Sequence, residues 1–327
     1  MVPAMALPAP FLYLAPLHGI TGRVFRGAFF SCFPGFDAAV APFILSVKAG
    51  DVTEKHFKDL LPGPGSGPGS GPLLIPQILG NDGSAMVATA RMLRDLGYGE
   101  IDWNLGCPYP MVADKGKGSG LLSDPGRIDR ILGEVFGSLP PPFSVKIRLG
   151  RFDARELDAL VPVLNRYPLS RVVVHPRLGV QMYGGEVDLD GFGRAASMLA
   201  APTVYNGDIR SAAGFAALRE RFPEAAGWMI GRGALENPFL PGDIAGLPRP
   251  ADPLASVADY HRRLYADYAE VLSGPRHALD KMKELWSYLS RSFADGERVF
   301  RRISRAKKSA EYEAAAASIF RDGQWIA

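Results

Sequence analysis

The sequence predicts an α/β chain folded as a closed (β/α)8 (TIM) barrel, followed by a small all-helical C-terminal domain. Three observations predict it. Eight short, β-rich apolar runs recur through the first three-quarters of the 327 residues, with amphipathic helical patterns between most of them. Polar residues collect at or just past the C-terminal ends of these runs, the edge at which barrels carry their chemistry. After a Pro/Gly-rich hinge at 240–253 only helical patterns remain. A doubly wound open sheet would want a GxGxxG turn after an early strand; the first run leads instead into APLHGITG.

Taken in order, the strand candidates are FLYLAPL (11–17), AAVAPFI (38–44), LLIPQIL (73–79), EIDWNLG (100–106), FSVKIRL (143–149), RVVVHPR (171–177), TVYNGD (203–208) and WMIGRG (228–233). The clearest helix is SAMVATARMLRDLGYG. It places Met86, Ala90, Leu93 and Leu96 on one face and stops at Gly97. DPGRIDRILGEVF opens with Asp124 as N-cap and Pro125 at the first helical position. PGPGSGPGSGP (62–72) carries no core-forming residue and reads as a flexible excursion. The predicted division is a catalytic barrel over 1–245 and a helical domain over 246–327.

Composition narrows the class further. Apolar residues make up 47% and charged residues 22%, enough for a sizeable core. A net charge of +3 does not by itself imply nucleic acid, so only local clusters of charge count. Cys32 and Cys107 form no CxxC and lack zinc-site spacing, so no metal and no disulfide framework are expected. The first 17 residues are uncharged but lack a basic n-region and are interrupted by Pro3, Pro8, Pro10 and Pro16. They read as a short leader into the first strand. No run reaches the roughly 18–20 apolar residues of a membrane helix, so a soluble protein without a membrane partner is expected; sparse cysteine fits a reducing cytoplasm, and a monomer is expected.

Eleven polar residues stand at the strand ends: His18, Gln77, Asn104, Cys107, Lys146, Arg148, His175, Arg177, Asn206, Asp208 and Arg232. GDIR (207–210) and MIGRGAL (229–235) each offer glycine and free backbone N–H groups opening a helix, which suits a phosphate. Barrels often hold phosphate after strands 7 and 8, and Arg232 adds a fork of donors. The same turns also serve as ordinary βα connections. By alternation Lys146 points into the barrel, where it must pair or lose its proton. It suits an anionic cofactor such as a reduced flavin, or a pair with Asp102. Gln77 suits an amide-rich ring, and with Lys146 and the two phosphate loops it suggests FMN across the mouth. Cys32 reads as a small core residue. Cys107, locked between Gly106 and Pro108 ahead of a basic, mobile DKGKGSG loop, is placed to act as nucleophile or proton donor, with His18 and His175 as candidate bases.

NLGCP with KGKGSGLL downstream resembles the signature of the tRNA-dihydrouridine synthases. So do APLHGITGRVFR, PQILG, VKIRLG, HPRLGVQMYGG, YNGDI and MIGRGAL, in order over residues 11–240. The resemblance implies an FMN barrel with a helical RNA-binding domain, using NADPH to reduce the flavin and then the C5–C6 double bond of uridine in tRNA. It implies that hydride reaches C6 from flavin N5 and that Cys107 protonates C5, for which an ordinary thiol pKa of ~8.5 suffices. It further implies FMN contacts from Pro16, Leu17, His18, Gln77, Lys146, His175, Asn206, Gly207, Asp208, Gly231 and Arg232. Asn104, Arg148 and Arg177 would meet substrate. Leu17 and Gly22 stand where the family's first motif has Met and Asp, and Pro176 and Leu178 replace Gly and Thr.

The tail supplies the cluster of charge that the net value lacks. Arg298, Arg301, Arg302 and Arg305 recur at spacings of three and four, a stripe suited to tRNA phosphates, and Lys115 and Lys117 would extend it toward the mouth. KMKELWSYL resembles the bacterial type that modifies position 16. The rival readings are an FMN barrel acting on a free small molecule, which would not need the basic tail, and an inactive RNA-binding protein.

Overall fold

The computed structural model describes residues 9–51, 53–61, 71–139 and 142–327. The start of the leader and most of the 62–72 stretch lie outside the described residues.

Ten parallel strands form one sheet: β1 (Leu12–Leu14), β2 (Ala38–Val40), β3 (Ile44–Leu45), β4 (Leu73–Ile75), β5 (Gln77–Leu79), β6 (Ile101–Leu105), β7 (Phe143–Gly150), β8 (Val172–Leu178), β9 (Thr203–Tyr205) and β10 (Gly227–Ile230). They are the eight predicted runs with two of them broken. Pro76 has no N–H to give the ladder and divides the third run into β4 and β5. The second run is likewise split, by a bulge at 41–43. Ala38 pairs with Leu73 and Val40 with Ile75, but Ile44 pairs with Ile78, so three residues face two. Because β2 meets β4 and β3 meets β5, the two outer members of the sheet are halves of neighbouring strands. With β1 paired to both β2 and β10, the barrel closes.

Alternation along the strands produces two cores. Inward, Tyr13, Ala15, Ala38, Val40, Ile75, Val173, Val204 and Met229 form the apolar barrel interior. Outward, Leu12, Leu14, Trp103, Val145, Ile147 and Val174 pack under α2 (Gly83–Asp95), α4 (Pro125–Ser138), α5 (Glu156–Leu164), α6 (Leu189–Met198) and α7 (Ala212–Arg221). The predicted caps form: Asp82 and Asp124 accept from the backbone N–H groups of Ala85 and Arg127. In α2, Met86, Ala90 and Leu93 are buried as expected, while Leu96 lies past the last helical residue and is exposed.

α1 (Arg23–Cys32) begins at Gly22, which offers no capping side chain. The missing carboxylate comes from Asp59. It accepts from the N–H of Arg23 and pairs with Arg26 at 2.9 Å, and a Cβ on Gly22 would sit 2.9 Å from Asp59 Oδ1. Gly22, where the resembling family has Asp, therefore leaves the helix end satisfied from 37 residues along the chain.

Four helices complete the chain: α10 (Pro253–Val271), α11 (Pro275–Leu289), α12 (Gly296–Arg305) and α13 (Ser309–Asp322). The expected hinge is partly structured, since α9 (Leu240–Ile244) occupies its start and buries Leu240, Pro241 and Gly242. Nor is the tail a detached body. Tyr260 packs edge-on against Phe25, Phe29 and Phe33 of the barrel side, in an apolar cluster that runs unbroken into α11 and α13. Inside the tail, buried His261, Trp286 and Tyr312 share hydrogen bonds of 2.6–3.1 Å.

Candidate active site

The C-terminal ends of the strands open onto a cavity of about 490 Å3. Among its walls are Pro16, Leu17, His18, Asn104, Cys107, Lys146, Arg148, His175, Asn206, Gly207, Asp208, Gly231 and Arg232. Thirteen sequence-predicted residues from separate strands and loops thus converge, because parallel strands of one barrel end on one face.

Four contacts hold Cys107. Its N–H donates to Asn104 Oδ1 at 2.8 Å, and its carbonyl accepts from Ser119 at 3.0 Å. Gly118, at φ +54, lies so close that a Cβ there would come within 2.9 Å of Cys107 Cβ. Arg148 Nε donates to the carbonyl of Gly106, at the near side of the turn. The loop read as mobile is therefore folded: α3 (Pro110–Ala113) and a 3-10 turn at Gly118–Leu121 pack it back onto the cysteine, burying Gly118 and Ser119. The thiol is 8% exposed, and burial raises its pKa above the ordinary range. It is a thiol, not a thiolate, at neutral pH.

Lys146 projects from the middle of β7 into the cavity. Burial, and then the neighbouring Arg148, depress its pKa to about 7. No pair with Asp102 forms; the carboxylate of Asp102 takes Gln77 at 2.7 Å and Ser144 at 2.8 Å instead. Among the described residues no hydrogen bond or ion pair engages the Lys146 amine. An amine depressed this far is only partly protonated at neutral pH, and an anion entering the cavity would favour its charged form.

Elsewhere in the lining Arg232 meets Asp208 at 2.6 Å, and Asp208 also binds Arg177. Asp208 holds φ +41, a left-handed conformation in a residue other than glycine. The two turns expected to cradle phosphate differ. MIGRGAL leads directly into α8 (Arg232–Glu236). GDIR does not, since α7 starts later and Ser211 already caps its Gly214 N–H.

Several expected residues lie elsewhere. Gln77 and Arg177 are buried behind the wall, each with its polar atoms engaged by protein. Lys115 and Lys117 are not part of the cavity wall. Arg298, Arg301, Arg302 and Arg305 are exposed on α12, which docks through buried Ile303 and turns its arginines to solvent. The sequence reading missed three aromatic walls, Tyr109, Tyr183 and Tyr288, together with Arg210 and Arg291. Tyr183 lies beneath two guanidinium groups, Arg148 at 5.5 Å and Arg232 at 5.2 Å. Tyr288 and Arg291 come from the helical tail, and Arg291 is anchored to the barrel by Glu236 at 2.6 Å. The sequence signals were the resemblance of KMKELWSYL, which contains Tyr288, and for Arg291 its place in the basic 291–308 stretch; neither indicated where that helix docks.

This arrangement defines a class: a (β/α)8 barrel whose strand ends build a pocket carrying a protonated thiol and an unpaired lysine amine, roofed by a helical tail. The sequence model of the family described as "Dihydrouridine synthase (Dus)" matches residues 13–322, and the chain belongs to that family. A tRNA-dihydrouridine(16) synthase of Cupriavidus necator is 30% identical over 92% of this chain and 95% of its own length. The protein of the same name from Ralstonia nicotianae is 29% identical over 92% and 93%. A tRNA-dihydrouridine synthase B of Pasteurella multocida is 33% identical over 50% of this chain and 49% of its own. No helix among the described residues is long and apolar enough to cross a membrane.

Proposed function

We propose that this protein reduces the C5–C6 double bond of a uridine in tRNA to dihydrouridine, with FMN bound in the cavity and NADPH as reductant. The observation that carries the reading is the sharing of one cavity by the Lys146 amine, which has no anion of its own, and the protonated thiol of Cys107.

The cavity fits FMN on three grounds. Its volume is that of a cofactor site, ~300–1,000 Å3. Lys146 answers the charge that a reduced isoalloxazine carries. Arg232 and the backbone at Gly207 and Gly231, also in the lining, offer donors for a phosphate. FMN, when bound and reduced by NADPH, would supply the hydride for C6. Cys107 delivers the proton to C5 from Sγ, and the Asn104 hydrogen bonds hold the turn that aims it. Arg148 holds that turn from the other side, and Tyr183 and Tyr288 give the cavity flat faces against which a base can stack. Extracting the uridine from its stack costs a few kcal/mol, which phosphate contacts along the arginines of α12 and at Arg291 would offset.

Position 16 is the proposed target. The relatives whose names carry that position match over nearly the whole chain, tail included, whereas the B-type relative matches half.

An absorption spectrum tests the whole reading. Purified protein is expected to carry flavin bands that bleach with anaerobic NADPH and recover on adding unmodified tRNA. Cys107→Ala should slow the recovery by roughly 100-fold or more, the usual contribution of a positioned general acid. A protein that neither holds FMN nor takes it up removes the cofactor from the proposal.

A further inference from the structure

A chain of buried side chains runs across three strands and ends at Asn104 in the cavity wall. Gln77, Asp102 and Ser144 are neighbours in register across β5, β6 and β7, and each is 0% exposed. Ser144 Oγ donates to Asp102 Oδ1 at 2.8 Å and Gln77 Nε2 donates to Asp102 Oδ2 at 2.7 Å. Asn104 Nδ2 then donates to Gln77 Oε1 at 2.7 Å. The chain ends at Asn104 Oδ1, which accepts from the N–H groups of Gly106 and Cys107 at 3.1 and 2.8 Å.

We propose that Asp102 is a positioning residue for Cys107, acting through Gln77 and Asn104 to fix the turn that presents the thiol. The proposal rests on the reading of Cys107 as the proton donor. Its logic is one of polarity. A side-chain amide has a donor end and an acceptor end and binds equally well turned over. Two amides in series are oriented by their ends, and here both ends are unambiguous and agree: the carboxylate only accepts, and the backbone N–H groups of Gly106 and Cys107 only donate. An ionised carboxylate accepts and does not donate, so it forces the Gln77 NH2 toward itself and the Gln77 oxygen toward Asn104. That in turn forces the Asn104 oxygen onto the two backbone N–H groups of the cysteine turn. Reversed, the Asn104 NH2 would face those N–H groups, donor against donor, and the turn would lose both bonds. Burial raises the Asp102 pKa only to about 6, which leaves the carboxylate ionised at neutral pH.

The test uses full-length protein as purified and reads iodoacetamide alkylation of each cysteine by peptide mass spectrometry. Cys32, on the far end of α1 and unconnected to the relay, is the internal reference. Gln77→Met keeps the volume and removes both polar ends. It is expected to speed alkylation of Cys107 roughly tenfold or more, the factor carried by a lost charge-assisted hydrogen bond, with Cys32 unchanged. On tRNA it should lower kcat and leave KM in place. The double exchange Asp102→Asn with Gln77→Glu moves the carboxylate one link along and again orients Asn104, so it should return the Cys107 rate toward that of the parent. An unchanged Cys107 rate in Gln77→Met overturns the proposal, as does a parallel rise at both cysteines, which would mean general loosening. Should Gln77→Met not fold, the parent protein decides: the side-chain NH2 protons of Gln77 and Asn104 must exchange slowly with solvent, and fast exchange overturns the relay. Absence of dihydrouridine from the parent's product would refute the reaction and leave the alkylation result standing.

Discussion

Arg177 donates from Nη1 to Nε2 of His175 across 3.1 Å, and that contact settles the state of the imidazole. Arginine has no acceptor, so Nε2 carries a lone pair and the ring proton sits on Nδ1. Arg177 itself is pinned by the carbonyls of Gly184 and Gly185 and by Asp208. Burial, then Arg148 and Lys146, hold the His175 pKa well below its ordinary value. His175 therefore meets the cavity as a neutral ring with a fixed donor, not as the general base that a lone sequence position allowed.

That state has a direct signature. The His175 ring signals in NMR are expected to show no titration in the ordinary histidine range and to stay in the Nδ1–H form. A titration near 6.5, the unperturbed histidine value, would contradict the geometry.

The cap of α1 makes a second prediction. Asp59→Ala removes the acceptor of the Arg23 N–H and the partner of buried Arg26, and should cost about 2–4 kcal/mol in urea unfolding. Gly22→Asp alone should also destabilise, since its Cβ meets Asp59. The two exchanges together should recover part of the loss, because the capping carboxylate is then supplied by the N-cap position of the helix itself.

A third prediction concerns acid stability. His261 is buried against Trp286 and Tyr312, and burial lowers its pKa to about 3. The folded tail holds it neutral, whereas the unfolded chain takes up a proton near pH 6.5. Stability from this group is thus complete above that value and declines as pH falls from 6.5 toward 3, by up to about 1.4 kcal/mol per pH unit. Replacing His261 with Gln should flatten that part of the stability curve; an unchanged slope would assign the acid sensitivity to other groups.

The arginine face of α12 makes a fourth. Arg301, Arg302 and Arg305 are exposed and have no ion pair among the described residues. Replacing all three with Ala should weaken tRNA binding while leaving the fold intact. It should lower the slope of log K against log salt by about 2–3, the value for releasing counterions from three phosphates. An unchanged slope would place the tRNA path elsewhere.

Sequence alone determined the barrel, because burial repeats along the chain: eight apolar runs, alternating inward and outward, admit few closed arrangements. It also determined thirteen residues of the cavity wall, because parallel strands bring their C-terminal ends together whatever lies between them. Cys107, Lys146 and Arg232 were legible for that reason. What the chain could not show is which polar neighbour each side chain meets. Gln77 and Arg177 were read as ligand contacts and lie behind the wall, since hydrogen-bond partners 25 and 31 residues away had claimed them. Tyr288 and Arg291 reach the mouth through tertiary contacts of the tail, among them Tyr260 on Phe29 and Phe33 and Arg291 on Glu236, which have no periodicity along the chain. Pattern along a chain reports burial, which is summed over many residues. The identity of a contact depends on a single close approach, and only the folded structure decides it.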